Sequence, residues 1–562
     1  MDGLETRDCG SHRGRDRQGH SWPFGDRDRP DRHRNTRNRT GRRRIAIRLP
    51  CVAALAVAAA HAQQNAATGA STAVPPQPPV PLAQRIDDFI AQPRFARADW
   101  GIAVRSLDSG RTLYAHNAGR LFVPASNAKL FTAALVLDTL GPGTRIATTL
   151  YATSIAIDRH GALRGDLILY GRGDPSLGLP DVSPDWADRL AAAVAERGIK
   201  RIRGELVADA TYFSGPPIGD GWEAGDLQSW FAAPVSALNA QGNLIKIEVS
   251  REGRRCCTLG ITPGAAGVNL VNLTADTASD SDDEPLGLYR PLGTSTVYAT
   301  GSLPGRVRRH DYFLSAPDPA RMAGNLLRDA LARQGIAVDG GVKVLHWPQS
   351  DPELMQRDTV AIASIDSPPV AQLVDHMLKH SDNLFAQALL LQAGVAAAQR
   401  GVCADRAVPP RSSEAWALCA LRALLARAGI APDAATFSEG SGLSRKDLVT
   451  PDAVTQLLAW ASRQPWAPDL RDALPVAGID GTLQHRMRGD AATDNVQAKT
   501  GTLTHAYALS GFVTDAAGER LVFSLLLNRY ARPADAFGHD LPPSPQSDLD
   551  AIAGMLATDG AE

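Results

Sequence analysis

The texture of the chain changes twice, and that interruption limits what it can fold into. From residue 82 to 152, and again from 360 to 540, apolar residues recur at helical spacing or alternate as in strands. Between them, residues 153–359 are dominated by short strand-like runs and by turns such as "GRGDPSLG", "FSGPPIGDG" and "TASDSDDEP". The expectation is one α+β (mixed α/β) domain, an antiparallel sheet covered by helices, built from two separated stretches with a large β-rich module inserted.

Within that frame several elements are legible. "WGIAVRSLDSGRTLYAHNAG" reads as a hairpin turning at Asp108-Ser109-Gly110, and "SNAKLFTAALVLDTLGPG" as a helix stopped by Gly141-Pro142-Gly143. In the inserted module "LRGDLILY" (163–170) and "IRGELVAD" (202–209) echo one another as strands entered through the same tight turn. "SPDWADRLAAAVAERGIK" lies between them as an amphipathic helix, and "DPARMAGNLLRDALARQGI" follows as another. Helices return in "SPPVAQLVDHMLKHSDNLFAQALLLQAG" and "TPDAVTQLLAWASRQ". Three strand-like runs, "VQAKTGTL", "AYALSGFVTD" and "RLVFSLLLNRY", close the folded part, and residues 541–562 read as an acidic tail.

The N-terminal region has a different chemistry. Residues 1–48 hold fourteen arginines and seven acidic residues with hardly any aliphatics, which cannot build a core. They read as a disordered extension, or as a start placed too far upstream. Residues 42–62 then combine a basic stretch, an apolar run and the small-x-small Ala60-His61-Ala62, the pattern of a secretory signal cut after Ala62. A Pro/Ala-rich linker, 63–81, follows. The remaining chain carries 45 basic and 53 acidic residues, a net charge of −8, which argues against nucleic acid as a partner. No later segment is long and apolar enough for a membrane span. An exported, periplasmic protein is expected.

In an oxidising compartment Cys403 and Cys419 could close a local loop. The adjacent Cys256 and Cys257 lack the His or Cys neighbours of a metal site, and no metal is expected.

Lysine is scarce, seven residues against 52 arginines, so each lysine invites inspection. Lysine can be tuned by burial to act as a base, whereas arginine stays protonated. Ser126 and Lys129, three apart at the start of a helix, share one face, so the amine can reach the hydroxyl and take its proton. Ser381-Asp382-Asn383 and Lys499-Thr500-Gly501-Thr502 follow in the order of the S-x-x-K, S-D-N and K-T-G set of the penicillin-recognising serine enzymes. Together with "GDLILYGRGDPSL", "GSGLSRKDLVTP", "LPVAGIDGTLQHRM" and "GTLTHAYALSGFVTDAAGERLVFSLLLN", the chain from 82 to 530 resembles the class C low-molecular-mass penicillin-binding proteins. These are D-alanyl-D-alanine carboxypeptidases and endopeptidases with a long insertion between the first two motifs, here 255 residues apart.

The resemblance implies the penicillin-binding/β-lactamase-like transpeptidase fold and a set of roles. Ser126 is the nucleophile, Lys129 its base and Ser381 a proton relay to the leaving amine. Asn383 orients Lys129 and the substrate amide, Lys499 and Thr500 bind the terminal carboxylate, and the N–H groups of Ser126 and Thr502 form the oxyanion hole. Lys129 must lose its charge and Lys499 must keep it. Stem peptides of peptidoglycan and β-lactams are the implied partners, with no cofactor. Read alone, Ser381 could be a helix cap and Thr500 an ordinary strand residue. Asp174 is most simply a turn former, with a cleft-facing role toward a cationic substrate group as the alternative. Lys379 and His380 read as helix surface. Two departures stand out: Ala386-Gln387 where the family has Ala-Glu, and Glu439 where it has Asp. A β-lactamase or esterase on the same scaffold, and a non-catalytic wall scaffold, are the competing readings.

Overall fold

A computed structural model describes residues 80–154, 156–252, 255–275, 286–303, 307–349, 359–404, 408, 410–532 and 543–560. The expected extension, the signal with its cleavage point at Ala62, and the linker up to residue 79 lie outside the described residues.

Five antiparallel strands make the first sheet, in the order Gln497–Leu503, Ala506–Thr514, Arg520–Asn528, Asp99–Ser106, Thr112–His116. N-terminal and C-terminal stretches thus share one sheet, with Ile102 opposite Leu525 across the join. Alternation sorts the faces. Trp100, Ile102, Leu509, Phe523 and Leu525 pack against the helices Leu82–Ile90 and Pro545–Ala557. The expected tail is therefore, from 545 to 557, a helix whose Leu549, Ile552 and Leu556, at i, i+3 and i+7, are buried on the sheet. Beyond the other face the helices Ala128–Leu140, Val370–Lys379, Asn383–Gln399 and Ser413–Arg427 pack on one another. Ala128–Leu140 is mostly apolar and is buried along ten of its thirteen residues, Lys129 and Thr132 among them, as a central helix must be.

The inserted module is a mixed αβ layer, with three strands parallel. Its sheet runs Val342–His346, Leu206–Ala210, Leu167–Tyr170, Ala147–Ala152, Val360–Asp366. The two echoing segments are neighbours in register: Leu163 pairs with Ile202, and Leu167 with Leu206. A third copy was missed, because "VDGGV" shares only its glycine and its apolar ends. Val338 pairs with Ile202 and Val342 with Leu206. Helices Trp186–Glu196 and Pro319–Arg333 follow the first two copies, as parallel crossovers require. The margins differ from the sequence boundaries. Residues 147–152 and 360–366 pair with each other inside this sheet, so it claims strands that texture alone assigned to the catalytic halves.

Further along, strands Leu244–Glu252, Arg255–Thr262 and Arg309–Ser315 form a second sheet of the module. Its core is continuous with Leu384, Ala388 and Leu391 of the helix Asn383–Gln399, so the module is fastened to the catalytic part through a shared apolar interior. Cys403 is joined to Cys419, and Cys256 to Cys257. Among the described residues no helix is long and apolar enough to cross a membrane.

Candidate active site

Ser126 sits in a single 3-10 turn, Ala125–Asn127, feeding the helix Ala128–Leu140. The preceding Ala125 has φ +48°, a conformation that costs a non-glycine residue about 1 kcal/mol or more and persists only where neighbours enforce it. They do so from two sides. A Cβ on Gly442 would fall 1.9 Å from the Ala125 carbonyl, and one on Gly501 would fall 2.8 Å from the Pro124 carbonyl. The buried Asn127 amide donates to the Lys499 carbonyl at 3.0 Å, tying the turn to the Gln497–Leu503 strand.

Lys129 is wholly buried, and its Nζ has three acceptors: Ser126 Oγ at 2.9 Å, Asn383 Oδ1 at 2.6 Å and the Ser441 carbonyl at 2.7 Å. Burial lowers its pKa to about 8, against the pull of Glu439, Asp382 and Asp447 toward the charged form. The cause is desolvation rather than the neighbouring Lys499 charge. Asn383 Oδ1 and the Ser441 carbonyl can only accept. When the amine is neutral they engage its two N–H bonds, and its lone pair is left for the Ser126 hydroxyl proton.

Ser381 interrupts what the sequence shows as one helical stretch. At φ +58° it separates the helices Val370–Lys379 and Asn383–Gln399, and its Oγ accepts from Lys499 Nζ at 2.9 Å. Asp382 caps the second helix by accepting from Phe385 N–H at 3.1 Å. Burial pushes Asp382 up, but His376, the Phe385 N–H and Lys129 hold it below the usual carboxylate range. Asn383 completes its bonding by donating from Nδ2 to the Phe231 carbonyl at 2.8 Å, a group supplied by the inserted module.

Lys499 is also fully buried, donating to Ser381 Oγ and to the Thr500 carbonyl. Burial, then Lys129 and Arg486, drive its pKa well below the ordinary lysine value. Burial therefore works against the charge that Lys499 is expected to keep, and an anion beside it would favour that charge. Thr500 Oγ1 donates to Thr482 Oγ1 at 2.9 Å, and both are half-buried, as is Thr502.

Asp174 is not brought into this constellation. It is 2% exposed, its Oδ1 accepts from the N–H and Oγ–H of Ser176 at 2.8 and 2.6 Å, and burial raises its pKa to about 6. It is the turn former, and the cleft-facing alternative is not met. Lys379 is not free surface: it donates to Asp480 Oδ2 and to the Leu474 carbonyl, both at 2.6 Å, anchoring the loop that carries Thr482.

Sequence reasoning missed the support around the motifs. Glu439, 1% exposed, accepts from Trp222 Nε1 (3.1 Å), Ser441 N–H and Oγ–H (2.7 and 2.6 Å) and Gly442 N–H (2.6 Å), folding the loop that aims the Ser441 carbonyl at Lys129. Gln387 accepts from Gly440 N–H at 2.8 Å and donates to Glu414 Oε2 at 2.6 Å. Burial raises Glu414 to about 7, with Gln387 opposing that shift and the Glu439 charge adding to it. A backbone carbonyl such as that of Phe231 has no side-chain signature. Glu439 and Gln387 were visible only as departures from a pattern.

Comparison with known proteins follows the same lines. A family model described as D-Ala-D-Ala carboxypeptidase 3 (S13) matches residues 82–539. The chain is 33% identical over 550 residues to the D-alanyl-D-alanine carboxypeptidase of Actinomadura sp. (strain R39), covering 94% of this chain and 93% of that one. It is 26% identical over 440 residues to the D-alanyl-D-alanine carboxypeptidase DacB of Haemophilus influenzae, covering 77% and 85%. The crystal structure of penicillin binding protein 4 from Haemophilus influenzae overlays with a TM-score of 0.71 at 24% identity, covering 83% of this chain and 97% of that one. That overlay identifies a shared fold.

Proposed function

The chain belongs to the D-Ala-D-Ala carboxypeptidase 3 (S13) family, and from that premise we propose that it cleaves the terminal D-Ala-D-Ala bond of peptidoglycan stem peptides through an acyl-enzyme on Ser126. The observation that carries the reading is the buried Lys129 amine, with two carbonyl acceptors and the Ser126 hydroxyl as its partners. At pH 7.4, freeing the lone pair of a lysine with pKa about 8 costs about 1 kcal/mol, against about 4 kcal/mol at the ordinary value.

Ser126 Oγ attacks the carbonyl carbon of the penultimate D-alanine and its proton passes to Lys129. The oxyanion meets the N–H groups of Ser126 and Thr502, each worth about 3 kcal/mol. The C–N bond then breaks as the leaving amine takes the Ser381 hydroxyl proton, which protonated Lys499, hydrogen-bonded to Ser381 Oγ, replaces. Water hydrolyses the Ser126 ester. Before attack, the substrate's terminal carboxylate docks at Lys499 and Thr500. Its negative charge favours protonated Lys499 and so opposes the burial that lowers the pKa of that amine. A β-lactam follows the same first step, but its amine stays tethered and slows release. Trimming of crosslinked peptides, an endopeptidase reaction, uses the same residues. The protein acts outside the cytoplasm after removal of residues 1–62.

A class A lactamase would need a carboxylate to activate water for deacylation. Glu439 is committed to its own loop and Glu414 to Gln387, and neither hydrogen-bonds Ser126. A fluorescent penicillin should label the protein at Ser126, and free D-alanine should be released from a pentapeptide ending in D-Ala-D-Ala. Labelling that survives Ser126→Ala would overturn the nucleophile, and rapid turnover of the adduct would favour a lactamase.

A further inference from the structure

A cavity of about 250 Å³ opens in the inserted module, walled by Phe213, Pro234, Asp318, His346, Trp347 and Leu391 among others. That volume lies just under the range of drug-sized sites, so it suits a single ring rather than an extended peptide. Its rim pairs a flat apolar surface with a polar pair. Trp347 is 44% exposed, and beside it His346 Nε2 lies 3.4 Å from Asp318 Oδ2. An aromatic face next to directional hydrogen-bonding groups matches a sugar, which offers an apolar C–H face ringed by hydroxyls.

The position of the cavity relates it to catalysis. Pro234 is three residues from Phe231, whose carbonyl holds Asn383, so that wall is within about 10 Å of chain from the site. Leu391 is eight residues along the helix that Asn383 begins, about 12 Å of axis. Four stem residues upstream of a scissile D-Ala-D-Ala bond span up to about 14 Å when extended. The sugar to which a stem peptide is attached would therefore lie up to about 14 Å from Ser126, the same order as the separations of these walls from Phe231 and Asn383.

Resting on the peptidase reading above, we infer that the Trp347 cavity is a saccharide subsite that takes one hexopyranose ring of the glycan to which the stem peptide is attached. The module thereby makes the enzyme prefer glycan-linked over free stem peptides. Its loops and the end of its strand Val342–His346 line the sugar site while its Phe231 carbonyl orients Asn383, so one insertion serves both ends of the substrate.

The test has two arms. In the first, D-alanine release is followed for a free pentapeptide and for the same pentapeptide on its amino-sugar disaccharide, with wild type, Trp347→Ala and His346→Ala. Wild type should show kcat/KM roughly tenfold higher on the glycosylated substrate, through KM, and Trp347→Ala should bring the two substrates level. No preference in wild type, or an equal loss on both substrates in Trp347→Ala, would overturn the subsite. In the second arm, saturation-transfer NMR follows the peptide-free disaccharide with the full-length protein acylated by benzylpenicillin and with unacylated protein. Binding that Trp347→Ala abolishes is expected, and no binding overturns the proposal. If neither peptide is hydrolysed and penicillin does not label Ser126, the peptidase reading falls, while the second arm still decides the sugar site.

Discussion

The pH dependence of acylation tests the base directly. With the Lys129 pKa at about 8, the neutral fraction is about 9% at pH 7 and about 1% at pH 6, so the rate of attack by Ser126 should fall roughly tenfold per unit below pH 8 and level off above it. Stopped-flow measurement of the first turnover with a chromogenic β-lactam isolates that step, since slow hydrolysis of the adduct does not enter the burst. The carboxylates around the amine supply an internal perturbation. Asp382 is ionised and pulls Lys129 toward the charged form, and Asn in its place still caps the helix Asn383–Gln399. Asp382→Asn should move the acid limb to lower pH by roughly one unit at most, and so speed acylation at pH 6 several-fold. Asp447 also pulls Lys129 toward the charged form, but burial and Glu439 hold its own pKa well above the usual carboxylate range, so Asp447→Asn should shift the limb in the same direction and by less. A limb centred near 10, a flat profile from pH 6 upward, or a shift to higher pH in Asp382→Asn would refute Lys129 as the titrating base.

Three further outcomes are expected. Glu414 has a folded pKa of about 7, above its ordinary 4.5, so the stability it contributes is greatest at low pH and is lost as pH rises from 4.5 through 7; Glu414→Gln should remove roughly 2 kcal/mol of that decline, read by urea melts at pH 5 and 7.5. Lys499→Met should raise KM at least tenfold for a peptide with a free C-terminal carboxylate and leave a C-terminally amidated peptide, poor for both enzymes, nearly unchanged in steady-state assays. Exported protein should begin at Gln63 by N-terminal sequencing, and a start elsewhere would refute the signal reading.

The motifs were legible because their chemistry is carried by side chains at fixed spacing. Ser126 and Lys129 need only one helical turn, and Ser381, Asn383, Lys499 and Thr500 followed in order. The echo of two strands was legible for a similar reason, since identical entry turns leave identical residues. The third strand was not, because "VDGGV" has Asp339 in place of the arginine and Gly341 in place of the acidic residue of each copy while keeping the register. Residues 545–557 look like a tail because Asp, Ser and Gly dilute their apolar stripe; only the sheet face beneath them shows that Leu549, Ile552 and Leu556 have a partner. The module boundary escaped for a geometric reason. A strand at the margin looks the same whichever sheet it joins.

The two departures from the family pattern turn out to be coupled. A glutamate at position 387 would set a second carboxyl 2.6 Å from Glu414, in a place where burial already raises Glu414 to about 7. Glutamine avoids that repulsion, and it offers both an acceptor to Gly440 N–H and a donor to Glu414, which a single carboxylate cannot do. The chain then turns at Gly440 into the Ser441 carbonyl that holds Lys129, while Glu439 grips the same loop and reaches Trp222 of the inserted module. Phe231, a few residues on, fixes the other acceptor of Lys129 through Asn383. Both carbonyl oxygens that aim the lysine lone pair are thus held in place through groups from the insertion. The insertion, residues 153–359, is part of the base's geometry, and a chain from which it was cut should keep every motif residue but lose the orientation of the amine.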